Sequence, residues 1–354
     1  MILAALLLLC TPVLAVDIGD ALDADKASAS LPAGAAEALD GLSVADVDPD
    51  TGLGRIWTYI QERSRAVLAE ALRPVAAVTA VAVICAAAEP LSLAGKFNYV
   101  SFGGCLAVAA AAVADVQGVI RMGGETVGAL CEYSKALLPT LSMAAVSAGA
   151  VTSAGAKYAA AALFSDILLT AAQDLILPLI CAYVATVTAG AALGTNQLGG
   201  AARLLQWAAK TLLKALVVVF TGYLSLTGIL AGSADAAAVK AAKAVLSTTL
   251  PVVGGTLASA SESLVAGAAL VRNAIGAFGL LAVLAAVALP VLRLALRCLL
   301  YRAAAAVASV IAGGRIGGLI DAIGSACGLI LGLVGAAAAI YFLAIVSLLR
   351  TVTG

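Results

Sequence analysis

Glu262 stands in LPVVGGTLASASESLVAG, residues 250–267, a stretch of glycine, alanine and hydroxyl side chains that holds no other charge. Its place in this segment makes it the sharpest functional candidate among the chain's ionisable groups in apolar surroundings. Glu89, Asp115, Lys157, Asp166, Asp174 and Asp321 also fall within or beside strongly apolar runs. A charge at the centre of a bilayer costs at least roughly 2.5–3.5 kcal/mol on insertion scales, so intramembrane ionisable groups are functional candidates by default. Asp115 near the end of its run and Glu89 just before Pro90 read instead as groups reaching the membrane interface. Asp166 and Asp174, eight residues apart, share a helix face only loosely.

Much other chemistry is excluded. The chain contains no histidine, which rules out Ser–His and Cys–His nucleophile pairs and imidazole metal sites. Its seven cysteines, at 10, 85, 105, 131, 181, 298 and 327, are scattered without a C-x-x-C pair and read as small buried hydrophobes. No G-x-x-x-x-G-K-[ST] loop is present to cradle a nucleotide. The aspartates lack the Gly-x-Gly-Asp pattern of an intramembrane protease. No catalytic, cofactor-binding or metal-binding residue is assigned, no nucleic-acid partner is expected, and the chain reads as a protein other than an enzyme.

The elements that must position Glu262 are membrane helices. The chain is 63% hydrophobic and 11% charged with a mean hydropathy of +1.10, whereas soluble domains carry roughly 25% charged residues. Four stretches hold no charge at all: 175–202, 215–234, 273–292 and 322–349. Each has the roughly 20 residues a helix needs to cross the hydrocarbon core. The expected fold is an all-α polytopic membrane protein with about eight spans, near 75–93, 100–120, 157–177, 178–197, 213–231, 273–290, 291–311 and 325–349.

Residues 1–15 have an apolar core ending in Val13-Leu14-Ala15, which suits a cleaved signal peptide. Residues 16–52 then carry nine of the chain's twenty acids and one base, an acidic arm expected to be loosely ordered and extracytoplasmic. Over 53–73 apolar residues recur near helical spacing among charges, with Trp57 and Tyr59 suited to the headgroup region, so a helix lying on the membrane surface is expected. Residues 74–136 hold the first two spans and a more polar connector. With eight spans and a cleaved signal, the basic turn Arg203/Lys210/Lys214 falls outside the cell, against the positive-inside rule.

An internal repeat is visible at an offset of 112 residues. Leu138-Pro139 falls on Leu250-Pro251 and Leu177-Pro178 on Leu289-Pro290, in a chain with nine prolines. Ser147-Ala148 also meets Ser259-Ala260, and Arg203 meets Arg315. The units are 137–248 and 249–354. A short segment plus three spans in each would invert one unit relative to the other, as in transporters whose broken helices meet near the midplane. Non-helical backbone survives at that depth only where protein buries it or a wet cavity lines it. The two Pro/Gly/Ser-rich segments are therefore candidate re-entrant elements. Pro139, Ser142 and Ser147 from the first, with Pro251, Gly254, Gly255, Ser261 and Glu262 from the second, form a candidate pathway or gate. Two tightly packed, Pro-kinked helices without a pathway would give the same pattern.

Pro251-Val252-Val253-Gly254, the Ser/Ala-rich stretch after it, Arg272-Asn273 and Ile275-Gly276 resemble the stage III sporulation protein AE family. FTGYLSLTGIL, residues 220–230, is similar to that family's Leu-Ser-Leu-x-Gly span end. The order of signal peptide, polar arm, surface helix and multispan body agrees over nearly the whole chain, with the specific residues concentrated in 137–160 and 220–276. The resemblance implies an integral protein of the mother-cell membrane around the forespore of endospore-forming bacteria. It implies partners from the stage III A group, including a cytoplasmic ATPase, small membrane proteins and ring-forming membrane proteins like secretion-system components. It implies a part in a channel or feeding apparatus needed for late forespore gene expression. This body would be permease-like, with a non-conducting scaffold and an autonomous secondary transporter as the alternatives.

Overall fold

A computed structural model describes residues 30–40, 48–88, 99–147, 151–193, 197–249 and 254–349. Among them every regular element is a helix: α1 (Ala33–Ala38), α2 (Pro49–Ala88), α3 (Tyr99–Ser147), α4 (Val151–Thr170), α5 (Leu177–Leu193), α6 (Gln197–Thr249), α7 (Gly254–Ile311) and α8 (Gly313–Leu349). A π-helical turn over Ala171–Ile176 joins α4 to α5 in one rod. Among the described residues six helices are long and apolar enough to cross a membrane, where about eight spans are expected from the sequence.

The difference lies at two prolines. The expected spans 157–177 and 178–197 fall, as far as Leu193, in one rod across Pro178, and 273–290 and 291–311 belong to α7 across Pro290. Pro178 cannot donate to the carbonyl of Asp174, and its ring crowds that carbonyl. The wider turn at Ala171–Ile176 contains Asp174 and absorbs the mismatch without breaking the rod. Pro74 is also carried inside a continuous helix, α2, so the amphipathic stretch 53–73 continues into an apolar second half instead of ending there. These helices are long. At about 1.5 Å per residue the 40-residue α2 measures about 60 Å and the 58-residue α7 about 87 Å, against a hydrocarbon layer of about 30 Å. Each therefore extends well beyond what one crossing needs.

Neighbouring pairs fix the directions. Gly104 meets Ile316, Gly123 meets Ile330 and Cys131 meets Tyr341, so α3 and α8 run parallel. Gly52 meets Leu281 and Glu70 meets Arg297, so α2 and α7 run parallel. Ser309 meets Gly317 and Gly276 meets Leu349, which makes α7 and α8 an antiparallel hairpin turning at Ala312. The α4–α5 rod runs against both α6 and α8, with Phe164 on Phe220 near one end and Thr186–Ala191 beside Leu198–Ala202 near the other. The result is an alternating bundle. The α7–α8 hairpin is its core: 56% of the most apolar window of each is buried, against 17–33% for the other four. The outer helices turn large apolar side chains outward, including Ile84, Leu106, Leu163 and Val218, a surface suited to lipid. Trp57 and Trp207 are exposed near the starts of α2 and α6.

Part of the acidic arm is docked. α1 packs on α7 and α2, burying Ala35, Ala38 and Leu39, and Glu37 pairs with Arg63 at 2.7 Å. Arg63 stacks 4.5 Å over the Tyr59 ring, and Arg55 donates to the Asp40 carbonyl. The proposed signal peptide, most of the arm and Glu89 lie outside the described residues.

Candidate functional site: a buried ion network between three helices

Arg293, Arg297 and Tyr301 follow one another at four-residue steps, which places them on one face of α7. That face meets α2 and α3. Arg297 Nη2 lies 3.0 Å from Glu70 Oε1 on α2, and its Nε lies 3.1 Å from Asp115 Oδ1 on α3. Tyr301 donates its hydroxyl to the other Asp115 oxygen at 2.9 Å. Arg293 Nε approaches Glu70 Oε2 at 3.9 Å. The Arg297 and Asp115 side chains are 8% and 9% exposed, while Glu70 at 48% opens to the outside. Two guanidinium groups face two carboxylates, so the set balances. Balance is required, because a charge buried here alone would carry several kcal/mol of uncompensated desolvation.

A second polar cluster knits α3, α4 and α8. Cys131 Sγ lies 2.7 Å from the Tyr341 hydroxyl and 3.6 Å from the Ser165 carbonyl oxygen, and the Ser134 and Ser165 hydroxyls are 3.4 Å apart. Lys157 on α4 is buried and donates to the Ser347 carbonyl of α8 at 3.1 Å. The crevice beside this cluster, against Tyr133, Leu137 and Val283, is too narrow to admit water. Among the described residues no cluster of histidine, cysteine and carboxylate groups is arranged to hold a metal.

The residues singled out in the repeat are distributed differently. Pro139 and Ser142 are half-buried inside α3, and Ser147 is exposed at its last position, where its hydroxyl bonds the Met143 carbonyl at 3.0 Å. The first segment is thus divided between the end of α3 and the start of α4, with 148–150 outside the described residues. Pro251 lies outside them too, and Gly254, Gly255, Ser261 and Glu262 belong to the opening turns of α7. Leu137, at the start of the first segment, meets Gly279 on α7, well beyond the second. Asp166, Asp174 and Asp321 are exposed on the outer surface. Asp115, read from sequence as an interfacial group, is instead bonded at the centre of the network. The legible signal was the Arg-x-x-x-Arg-x-x-x-Tyr face of α7, whose cations required buried acids.

A bundle of long apolar helices around a charge-balanced internal network defines a polytopic α-helical membrane protein. The model of the family described as stage III sporulation protein AE matches residues 54–351, and the chain belongs to that family. It is 23% identical over 206 residues to the stage III sporulation protein AE of Bacillus subtilis (strain 168), a match covering 58% of this chain. The chain spans about half the length of that curated relative, 51%. No solved structure matches it.

Proposed function

We propose that the chain is a permease-like membrane subunit of the channel or secretion-like apparatus that links mother cell to forespore during endospore formation, working there with a cytoplasmic ATPase and ring-forming membrane proteins. Family membership supports the role in sporulation. The observation that carries the permease reading is the Glu70–Arg297–Asp115–Tyr301 network, enclosed at Arg297 and Asp115. Apolar packing would hold three helices together at least as well as a buried ion pair, so adhesion alone does not call for these charges. An element that shifts one helix against two others does, since alternative pairing among four charges offers discrete arrangements.

Six crossings also reconcile the charge distribution. With six spans, the end of α5 and the start of α6 lie on the opposite side from the start of α2, and the basic residues Arg203, Lys210 and Lys214 lie toward that opposite end. The positive-inside rule then places that end in the cytoplasm of the mother cell and the arm in the space between the two membranes. A scaffold is the second reading, favoured by the dry crevice at Tyr133 and Leu137.

Tyr301→Phe, which removes one hydroxyl from the network, and Glu262→Gln are to be compared in a sporulating host, with complex assembly followed by pull-down and late forespore expression by a reporter. The permease reading expects assembly to persist and reporter activity to fall. Normal assembly with normal sporulation in both strains favours the scaffold.

A further inference from the structure

A groove of about 640 Å³ runs between α6 and α8. Its walls change character along its length. At one end stand Gln206, Lys210 and Arg302, with Ser325; at the other lie Val217, Val218, Gly335, Ala336 and Ala339. Because α6 and α8 run parallel, with Leu213 beside Gly332 midway, the polar and apolar ends of both walls coincide. Lys214 adds a third cation near the middle. Among the described residues no carboxylate comes within ion-pair distance of Lys210, Lys214 or Arg302. Asp321 stands one turn before Ser325 on α8 but does not line the groove.

We infer that this groove binds an anionic phospholipid, its phosphate between Lys210, Lys214 and Arg302 and an acyl chain along α8. Three observations select that occupant. Among the described residues the cations have no counter-charge, so the ligand carries negative charge. Apart from Leu329, the apolar floor on α8 consists of glycine and alanine, which leaves a channel a methylene chain can fill. From Ser325 to Ala339 the channel runs about 21 Å at 1.5 Å per residue, longer than the ~15 Å half-thickness of the hydrocarbon layer. A soluble phosphate would use only the first end, and a partner helix would leave the three cations without counter-charge. Basic pockets between membrane helices are established lipid headgroup sites in other proteins.

The full chain, purified and reconstituted in nanodiscs of phosphatidylcholine with increasing phosphatidylglycerol, provides the test, with lipid retention read by native mass spectrometry. Each base near an anionic headgroup contributes about a five-fold gain, so retention of phosphatidylglycerol over phosphatidylcholine is expected to exceed tenfold. Lys210→Gln/Lys214→Gln/Arg302→Gln, all at exposed positions that leave the fold intact, should abolish the preference. Gly332→Leu should block the chain channel and lower retention while the cations remain. Equal retention of the two lipids overturns the proposal, as does a preference that survives the triple substitution. Competition by soluble glycerol phosphate as effective as by the lipid assigns the site to a free phosphate. Retention unaffected by Gly332→Leu means that the channel does not hold the acyl chain.

Discussion

Arg297 is the residue on which the interior depends most. It reaches carboxylates on two other helices, and one of these, Asp115, is almost wholly enclosed. Removing one member of a buried pair leaves the other uncompensated, at a cost of about 3–5 kcal/mol. Arg297→Gln and Asp115→Asn are each expected to lower stability by about that amount in detergent unfolding, and an Arg297→Leu/Asp115→Leu double substitution to recover part of it. Tyr301→Phe should cost only about 0.5–1.5 kcal/mol, a single hydrogen bond to a group that keeps its main partner. Equal losses in all three variants would mean that the network is not organised around the guanidinium. In the sequence Asp115 is one acid near a run's end, and nothing local says that Arg297, 182 residues later, lies against it. The four-residue step from Arg293 to Tyr301 was legible; the partner was not, because only packing of three helices brings it there.

At the scale of elements, the α7–α8 hairpin turns at one residue, and its closeness rests on Gly317. A β-carbon there would lie 2.6 Å from Ser309 Cα and 2.7 Å from its nitrogen, atoms of backbone that cannot swing aside. Gly317→Val is expected to part the hairpin at its turn and lower the unfolding midpoint, whereas Gly314→Val, with open space around it, should not. At its start α2 is held by Asp48 and Pro49. The Asp48 carboxylate accepts from the Thr51 hydroxyl at 2.6 Å and from the Thr51 and Asp50 amides, while Pro49 fills a position that has no helical bond to lose. The Thr51 hydroxyl, ahead of the Thr51 and Asp50 amides, holds the Asp48 carboxyl below its ordinary value. A lowered carboxyl stabilises the folded turn above the unfolded value of about 3.9, and that contribution is lost as pH falls through the lower folded value. Amide protection at Asp50 and Thr51 should therefore fall below about pH 4, and Asp48→Asn should keep the cap but remove this acid dependence. The Asp48-Pro49 start was readable as a helix signal. So was α1, whose Leu31, Ala35, Ala38 and Leu39 follow helical spacing; the surrounding acidic, low-complexity composition outweighed that short pattern. Prolines misled in the other direction. Pro74, Pro178 and Pro290 all read as boundaries, yet a helix packed along its length can lose one bond and continue.

At the scale of the whole molecule, composition established the helical membrane class, while the number of crossings depended on how those prolines were read. Eight short spans and six long rods assign different sides to the same connection, and the ion network, the parallel course of α6 and α8 and the placement of the basic end all follow from six. Single cysteines at Ser43 and Thr195, in a background with the seven natural cysteines replaced, can be labelled with a membrane-impermeant maleimide in intact cells and again after lysis. Six crossings place three between these sites, so Ser43→Cys should label in intact cells and Thr195→Cys only after lysis. Labelling of both from the same side would contradict the six-rod bundle.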